Sequence, residues 1–498
     1  MKKYICDNCK YNFDVDEIVL NCPKCGSERV HVVSEITENE IDAIIDSVLE
    51  EVIETNKSKI INKNENDKFI QISDENYIIE KNGEKCINCG QCKKVCESIA
   101  NLSYDLNKCK NPICTGCGQC VLNCPTKALS IKKEYREVKQ IMDENEKIVV
   151  AILSPAVFFS YAELYNIEDI KIAEKKTIGI LRKLGFDYVF SSSFGSDLLV
   201  LEEATEFIER LSKREKMPLF TSSCPSWIKY AEIYHPELLN NISTCKLPIE
   251  MENEIIKKYF SDKKGFDVNR IITVSISNCS AYKLSKKENN LKTDYYLTTN
   301  ELSLLISDEE IDFKTIENSD YDNIIGETSG SGYMLSVSGG HSEALIRTIY
   351  RIINKRDLSK NEIDIYELRG NEDIREATIK MGNFQMKIAV VSDMLSLEKL
   401  LENDLYKHYH LIDVSYCKGG CINGGGQVIY DHKDHSRLIQ NINEKVYNLD
   451  KNSQNRFSYN NKELKEIYKK FLINPNSERS KDLFYTNYKN KSVLLGKE

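Results

Sequence analysis

The chain has 498 residues, of which 41% are hydrophobic and 29% are charged, and its formal net charge is −9. This composition is typical of a soluble globular protein of about three domains. It excludes a nucleic-acid binder that depends on a basic stripe. With no apolar run of about 18 residues and no charged-then-apolar leader, we expect neither a membrane span nor a secretory signal.

The eighteen cysteines are the strongest compositional signal. Most of them follow C-x-x-C spacings, which indicate metal binding rather than a disulfide framework. Sixteen fall into recognisable groups, and only Cys109 and Cys245 lie outside them. Metal sites therefore account for nearly all of the cysteine.

Residues 1–33 contain two C-x-x-C pairs about a dozen residues apart. Their four thiols, from Cys6, Cys9, Cys22 and Cys25, predict a tetrahedral metal site. Such a short module cannot bury a large core, so the metal would hold it together. Zinc and rubredoxin-like iron both suit the spacing. The module would have a structural or docking role.

Residues 34–82 contain no cysteine and are rich in Glu, Asp, Asn, Lys and Ile. Isoleucine and valine recur at helical spacing over residues 37–56, which predicts one amphipathic helix there. The Asn- and Lys-rich remainder is typical of a linker.

Residues 83–135 carry a doubled C-x-x-C-x-x-C-x-x-x-C pattern, which predicts a bacterial-type α+β ferredoxin domain with two [4Fe–4S] clusters. In that arrangement the fourth cysteine of each run serves the other cluster. One ligand set is therefore Cys86, Cys89, Cys92 and Cys124. The second set is Cys114, Cys117, Cys120 and Cys96.

Residues 136–440 alternate short apolar runs with helical patterns, which indicates an α/β domain with largely parallel sheets. Strands are predicted at 147–153, 188–191, 271–276 and 387–392. Helices are predicted at 178–184 and 199–211. The sequence Ser154-Pro155-Ala156 follows the first of these strands as a loop.

Three separate stretches within this domain hold cysteines in unusual settings. Cys224 lies in TSSCPSW with the only Trp of the chain, and Cys279 lies in SNCSAYK. Cys417 and Cys421 lie in YCKGGCINGGGQ. Thiolates are suitable ligands for iron–sulfur clusters or zinc, and glycines let the backbone approach a bulky ligand closely.

In this order, the three stretches resemble the signature motifs TSCCPxW, PCxxKxxE and ExxxCxxGCxxGGGQ of the [FeFe]-hydrogenase family. The resemblance covers roughly residues 80–498. It implies a catalytic domain of two mostly parallel sheets flanked by helices, followed at 441–498 by a small-subunit-like helical segment. It also implies an H-cluster: a [4Fe–4S] cubane joined to a di-iron subsite with CO, cyanide and an azadithiolate. The implied ligands are Cys224, Cys279, Cys417 and Cys421.

The resemblance also implies a proton path. Glu203, Glu206 and Arg210 occupy the family's relay positions, three and four residues apart on one helix face, and Ser243 matches the relay serine. For Glu203 and Glu206, a solvated helix face is the alternative. Ser223 stands where the family has a relay cysteine, and a hydroxyl is a far weaker acid than a thiol.

Other positions near the cluster ligands also depart from the family. Ser277 and Asn278 replace a Met-Pro pair. Tyr282 stands where a lysine holds a cyanide ligand, with Lys283 one residue later, so either residue could occupy that position. His341 either faces the pocket or lies on the surface at a helix start. These surrounding groups tune a cluster.

The sequence therefore favours a hydrogenase homologue of the divergent, sensory-type branch, which interconverts H2 with protons and electrons slowly. The alternatives are an efficient hydrogenase with a modified proton path, an iron–sulfur electron carrier or scaffold related to assembly factors, and a non-catalytic H2-responsive regulator. The resemblance implies an anaerobic, cytoplasmic protein. Its expected partners are a ferredoxin-like or other redox protein and the hydrogenase maturation proteins.

Overall fold

The computed structural model describes residues 2–6, 9, 12–15, 24–25, 30–35, 76, 78–102, 113–285, 293–370, 372–428 and 435–495. The predicted helix at 37–56, Cys22 and Cys109 lie outside these residues. The chain divides into two compact units: Met1–Lys68 with Ile87–Cys89, and Phe69–Cys86 with Gly90–Glu498. Among the residues described, no helix is both long and apolar enough to cross a membrane.

The first unit contains a small antiparallel sheet in the order β2-β1-β3. Its strands are β1 (Lys2–Cys6), β2 (Asn12–Val15) and β3 (Val30–Glu35). Cys6 ends the central strand and is buried, so the sheet edge positions one of the predicted metal ligands.

The second unit has one small and two larger sheets. Its strands are β4 (Ile79–Lys81), β5 (Leu129–Ile131), β6 (Ile148–Leu153), β7 (Tyr188–Ser191), β8 (Leu219–Phe220), β9 (Ile271–Ser277), β10 (Tyr295–Thr298), β11 (Ile374–Met381), β12 (Phe384–Val391) and β13 (Leu411–Val414). Strands β4 and β5 pair antiparallel. One four-stranded sheet has the order β10-β9-β6-β7 and is entirely parallel. The other has the order β11-β12-β13-β8, in which only β11 is antiparallel to its neighbour.

Helices cover these sheets and are numbered in chain order. They are α1 (Gln91–Ser98), α2 (Gln119–Leu122), α3 (Tyr135–Glu144), α4 (Pro155–Leu164), α5 (Ile170–Leu184), α6 (Ser192–Lys213), α7 (Pro225–Tyr234), α8 (Pro248–Ile255), α9 (Ser261–Lys264), α10 (Tyr282–Ser285), α11 (Thr299–Asp308), α12 (Gly330–Met334), α13 (Gly340–Asn354), α14 (Met394–Leu401), α15 (His435–Asn452), α16 (Lys462–Ile467) and α17 (Glu478–Phe484). The predicted α/β class with two mostly parallel sheets is confirmed.

The strands and helices predicted for residues 136–440 are present, but two helices begin earlier than their hydrophobic pattern suggested, and Pro155 and Ala156, predicted as part of a loop, begin α4. Helix α6 starts at Ser192 rather than near 199, and α5 starts at Ile170 rather than near 178. The first turns of α6 are small and polar yet buried, so they carry no amphipathic signal. The start of α5 is fixed instead by a cap, because the Asp169 side chain accepts a hydrogen bond from the backbone of Lys171.

The C-terminal segment packs against the segment between α7 and α8. The Tyr488 hydroxyl donates to the Ser243 carbonyl at 2.8 Å, and Cys245 forms a backbone bridge with Tyr485. The Tyr468 hydroxyl donates to Glu202 on α6 at 2.6 Å. The last helices thereby hold in place the helix and loop that carry the predicted proton path.

Candidate cluster-binding cavity

A cavity lies where strands of both larger sheets end. Ser154 follows β6, Ser192 follows β7, and the residues after β8, β9 and β13 complete the wall. The carboxyl ends of parallel strands are the usual place for a binding site in an α/β protein, because the chain leaves the sheet there in loops. The space between protein atoms in this region, together with the solvent open to it, comes to about 970 Å³.

The four cysteines of the signature motifs all line this cavity. Cys279 lies two residues beyond β9, Cys417 three beyond β13, and Cys224 immediately before α7. Cys421 is the most exposed of the four, and it lines the cavity. The fold therefore brings together three sequence stretches that are far apart in the chain.

Burial raises the pKa of each of these cysteines, to about 12 for Cys421, and neighbouring thiols raise it further for Cys279, Cys417 and Cys421. Four thiols that line one cavity would resist ionisation in the absence of a cation. Iron stabilises the thiolate form, so the donor set suits an iron–sulfur cluster. The residues present therefore fit the cubane that the family resemblance implied.

Glycines in the last motif let backbone segments approach one another beside the cavity. A Cβ atom on Gly425 would lie 2.3 Å from the carbonyl oxygen of Cys117, and one on Gly420 would lie 2.5 Å from the backbone nitrogen of Ser338. Gly420 also has a φ of 100°, which disfavours other residues. The glycine run thus brings the ferredoxin loop directly against the cluster ligands.

The ferredoxin loop makes a polar contact with the same motif. The Gln119 amide donates to the Asn423 carbonyl at 2.7 Å and lies 3.7 Å from the sulfur of Cys417. Cys117 itself lines the cavity. One predicted ferredoxin ligand therefore lies beside the cavity that holds the four motif cysteines.

The second predicted ferredoxin set is close together. After burial, the main factors that raise the pKa of Cys120 are the charges of Cys96, Cys117 and Cys114. Of the first set, Cys92 and Cys124 pack against one apolar cluster that includes Ile79 and Val121. Cys86 is half-buried and Cys89 is exposed.

The thiols of Cys6, Cys9 and Cys25 lie together in the first unit. Their sulfur atoms are all within 4.8 Å of one another, and those of Cys6 and Cys25 are 3.7 Å apart. Three convergent sulfurs suit a tetrahedral thiolate site whose fourth predicted ligand is Cys22.

The predicted outer proton-path residues form one buried network on α6. The Ser243 hydroxyl donates to Glu206 at 2.8 Å, and the Arg210 guanidinium donates to Glu206 at 2.6 Å and to the Ile242 carbonyl at 2.8 Å. Glu206 is only 6% exposed, and it lines a surface cleft with Arg210. Glu203 is fully buried. Neither carboxylate therefore belongs to a solvated helix face.

His341 lies in the cavity wall and not on the surface. It is 3% exposed, its Nδ1 is 3.0 Å from the Ser223 hydroxyl, and its Nε2 is 2.7 Å from Oε2 of Glu203. The second contact is an ion pair that departs from in-line hydrogen-bond geometry. Burial lowers the pKa of His341, but the charges of Glu203 and Asp413 outweigh it and raise the pKa above its usual value.

Lys283 does not lie in the cavity wall. Its ammonium group pairs with Glu301 at 3.0 Å and with Glu134 at 3.5 Å, while Tyr282 lines the cavity. The expectation that Lys283 could hold a ligand of the cluster is corrected, because that charge is directed toward α11. The Tyr282 ring is parallel to that of Tyr296, with centroids 5.9 Å apart.

Asn278 and Ser277 also line the cavity. The Asn278 amide donates to Ser160 at 3.0 Å and to the Ile422 carbonyl at 3.1 Å, and it accepts a hydrogen bond from Thr299. The asparagine therefore joins α4, α11 and the glycine-rich motif. This network was not foreseen, because no local pattern links these distant segments.

The comparisons with known proteins agree with this geometry. The model of the iron-only hydrogenase large subunit, C-terminal domain, matches residues 147–425, more than half of the chain. The chain belongs to the iron-only, or [FeFe]-, hydrogenase family. The iron hydrogenase small subunit model matches residues 438–491, and a 4Fe-4S binding domain model matches residues 113–130.

Individual relatives point the same way. The chain is 32% identical to the NADP-reducing hydrogenase subunit HndD of Solidesulfovibrio fructosivorans, over 81% of this chain and 73% of that protein. A solved variant of [FeFe]-hydrogenase HydA1 from Chlamydomonas reinhardtii superposes with a TM-score of 0.63 at 26% identity, covering 71% of this chain and 98% of that one. The cytosolic Fe-S cluster assembly factor narfl of Danio rerio is 27% identical, over 71% of this chain and 89% of its own length.

Proposed function

We propose that the protein interconverts H2 with two protons and two electrons at an H-cluster in this cavity. The observation that carries the proposal is the convergence of Cys224, Cys279, Cys417 and Cys421 on one cavity. When bound, the H-cluster supplies the metal centre at which the H–H bond is made or broken. Cys421, the most exposed of the four cavity-lining cysteines, would hold the cubane beside the di-iron subsite.

The ferredoxin domain would carry electrons between a redox partner protein and this site. Two [4Fe–4S] clusters would be held by the doubled cysteine pattern, and the contacts of Gln119 and Cys117 with the glycine-rich motif support transfer over a short distance. The Gln119 amide would also orient or polarise the Cys417 sulfur, because hydrogen bonds to ligand sulfurs tune cluster potentials.

Turnover would be slow, or the protein would serve as an H2 sensor. Ser223 replaces a thiol that exchanges protons near neutrality, and a serine hydroxyl is a much weaker acid. The retained network of Glu206, Ser243 and Arg210 supports continued proton exchange with solvent. An efficient enzyme with a modified path is the nearest alternative.

A scaffold or electron carrier without H2 chemistry is the second candidate. The similarity to an iron–sulfur assembly factor favours it. The complete set of four cavity-lining cysteines favours hydrogenase chemistry instead, because a carrier has no need for a cysteine that faces open cavity space.

The remaining assignments follow from the same proposal. The N-terminal thiols would hold zinc or iron, which would support a structural or docking module. Maturation proteins would insert the di-iron unit, and the protein would work in an anaerobic cytoplasm.

The test is H2 evolution and uptake per cluster, with iron counted in the same anaerobically matured sample. A hydrogenase is expected to show turnover that Cys421→Ser abolishes while the ferredoxin iron remains. A fully iron-loaded wild-type protein with no turnover, whose iron content Cys421→Ser leaves unchanged, would support the scaffold instead.

A further inference from the structure

A histidine lies between the altered serine and a buried carboxylate. The two ring nitrogens of His341 are 3.0 Å from the Ser223 hydroxyl and 2.7 Å from Glu203. Glu203 and His341 are buried, Ser223 is half-buried, and His341 and Ser223 line the cavity. A ring with a polar group at each nitrogen is the arrangement that lets an imidazole accept a proton at one end and release one at the other.

The backbone fixes the ring in this position. Helix α13 starts at Gly340, preceded by Gly339 at a φ of 85°, and His341 is its second residue. The first turn is anchored by Asp413, which accepts from the backbone and hydroxyl of Ser342 at 3.2 and 3.0 Å. The imidazole is thus held on a fixed element and not on a mobile loop.

The surroundings of the ring are asymmetric in charge. Glu203 faces it from α6, Asp413 from the end of β13, Ser223 from the loop after β8, and the thiols of Cys224 and Cys421 line the same cavity. Glu203 is buried behind the ring and does not line the cavity, whereas the Ser223 hydroxyl and Asp413 do. A proton on the ring therefore has an acceptor in each direction.

We propose that His341 carries protons between Glu203 and Ser223, forming the inner segment of the path between the cavity and α6. The inference rests on the proposed H2 chemistry. The imidazole would take over the proton-carrying role of the thiol that Ser223 replaces. The outer segment is the Glu206, Ser243 and Arg210 network, one helical turn further along α6.

Only protons move in this transfer, and no group is oxidised or reduced. For an inward proton, Glu203 gives a proton to Nε2 and Nδ1 gives one to the Ser223 oxygen, so the imidazole ends neutral. Ser223 then releases its own hydroxyl proton into the cavity. Return of the ring to its first tautomer resets the path, and the reverse sequence carries a proton outward.

The decisive variant is His341→Gln, which keeps a polar side chain of similar reach but cannot be protonated. Its control is His410→Gln. His410 immediately precedes β13, and its Nδ1 accepts a hydrogen bond from the Lys387 backbone at 3.0 Å. Both proteins are matured anaerobically, and the infrared bands of metal-bound CO and cyanide are recorded before turnover is measured. Wild-type protein without such bands would contradict the proposed function, not the relay alone.

We expect His341→Gln to keep the infrared bands and to lose turnover about 100-fold per cluster, the usual contribution of a positioned proton carrier. Its band positions should also lack the pH dependence that we expect in the wild type, and its solvent deuterium isotope effect should increase. His410→Gln should stay within about twofold of wild type in turnover. Turnover of His341→Gln within that same range, with bands intact, would overturn the relay.

A second measurement needs no di-iron unit. Nitrogen NMR of histidine-labelled protein before di-iron insertion, with the His341 signals assigned by their loss in His341→Gln, reports which ring nitrogen is protonated. We expect the wild-type ring to exchange between its two tautomers. Glu203→Gln and Ser223→Ala should each shift the populations of these tautomers. A ring locked in one tautomer and insensitive to both substitutions would mean that His341 only fills space.

Discussion

The two sides of the cavity differ in how closely their residues match the family motifs. On one side, four cysteines keep the spacing of the family motifs and converge as expected. On the other, Ser223, Tyr282 and Asn278 depart from those motifs: Ser223 and Asn278 make hydrogen bonds, and Tyr282 stacks on Tyr296. The difference supports the proposal that the cluster ligands are kept while the groups that would move protons and surround the cluster differ from those of the family.

The largest effect is expected on the cysteine side. Cys279→Ser should remove the cavity cubane and abolish H2 turnover, because a thiolate ligand is lost from a buried site. Iron content and infrared bands check this. Cys245→Ala is the matched control: this thiol is also buried, but it lies outside the cavity and should leave iron content unchanged. Equal loss of iron in both variants would contradict the assignment.

The next effect is expected on the polar side. Glu203→Gln should lower turnover about 100-fold, because a buried proton carrier is removed without changing its shape. Glu209→Gln is the control, because Glu209 lies on the same helix and pairs with Lys213 at 2.6 Å. This substitution should change turnover little. Turnover per infrared-detected cluster is the measurement, and similar values for the two variants would remove Glu203 from the path.

Restoring the family thiol should have a smaller and opposite effect. Ser223→Cys should raise turnover about tenfold, because a thiol near neutrality exchanges protons more readily than a hydroxyl. In the His341→Gln background the same change should recover part of the lost rate. Unchanged turnover in Ser223→Cys would show that proton entry is not the limiting step.

The smallest effect concerns stability on the altered side. Burial raises the pKa of Glu250 to about 8. The folded protein therefore holds this proton over a window, from about 4.5 to about 8, in which the unfolded chain releases it, so stability falls as pH rises. The fall is about 1.4 kcal/mol per pH unit at most.

Glu250→Gln should remove that pH dependence. Denaturant unfolding at pH 5 and pH 8 measures the difference between the variant and wild type. An equal decline in both proteins would assign the dependence to other groups.

The sequence predicted the features that depend on residues close together in the chain, and not those that depend on distant residues. The cysteine spacings and the strand runs Tyr188–Ser191 and Ile271–Ser277 are local patterns, and they predicted both the α/β sheets and the ligand set. His341 was ambiguous, because its partners are 118 and 138 residues away in the chain. A histidine after two glycines at a helix start, together with a serine at the relay position, was the available signal.

Lys283 shows how a local pattern can suggest a role that a distant contact prevents. A lysine one residue from the expected position suggested a local shift, but the buried Glu301 on α11 pairs with it and Tyr282 faces the cavity instead. The capping contacts of Glu301 with Thr298 fix that carboxylate, so the choice is made by a distant helix. Such a contact cannot be predicted from the residues next to Lys283 in the sequence.

An infrared spectrum of the anaerobically matured protein, recorded under argon and then under H2, tests the central claim most directly. Bands of metal-bound CO and cyanide that shift under H2 are expected if the four cysteines hold a working H-cluster. A protein with full ferredoxin iron and confirmed maturation that shows no such bands would contradict the claim. It would then be an iron–sulfur scaffold or electron carrier with a hydrogenase fold.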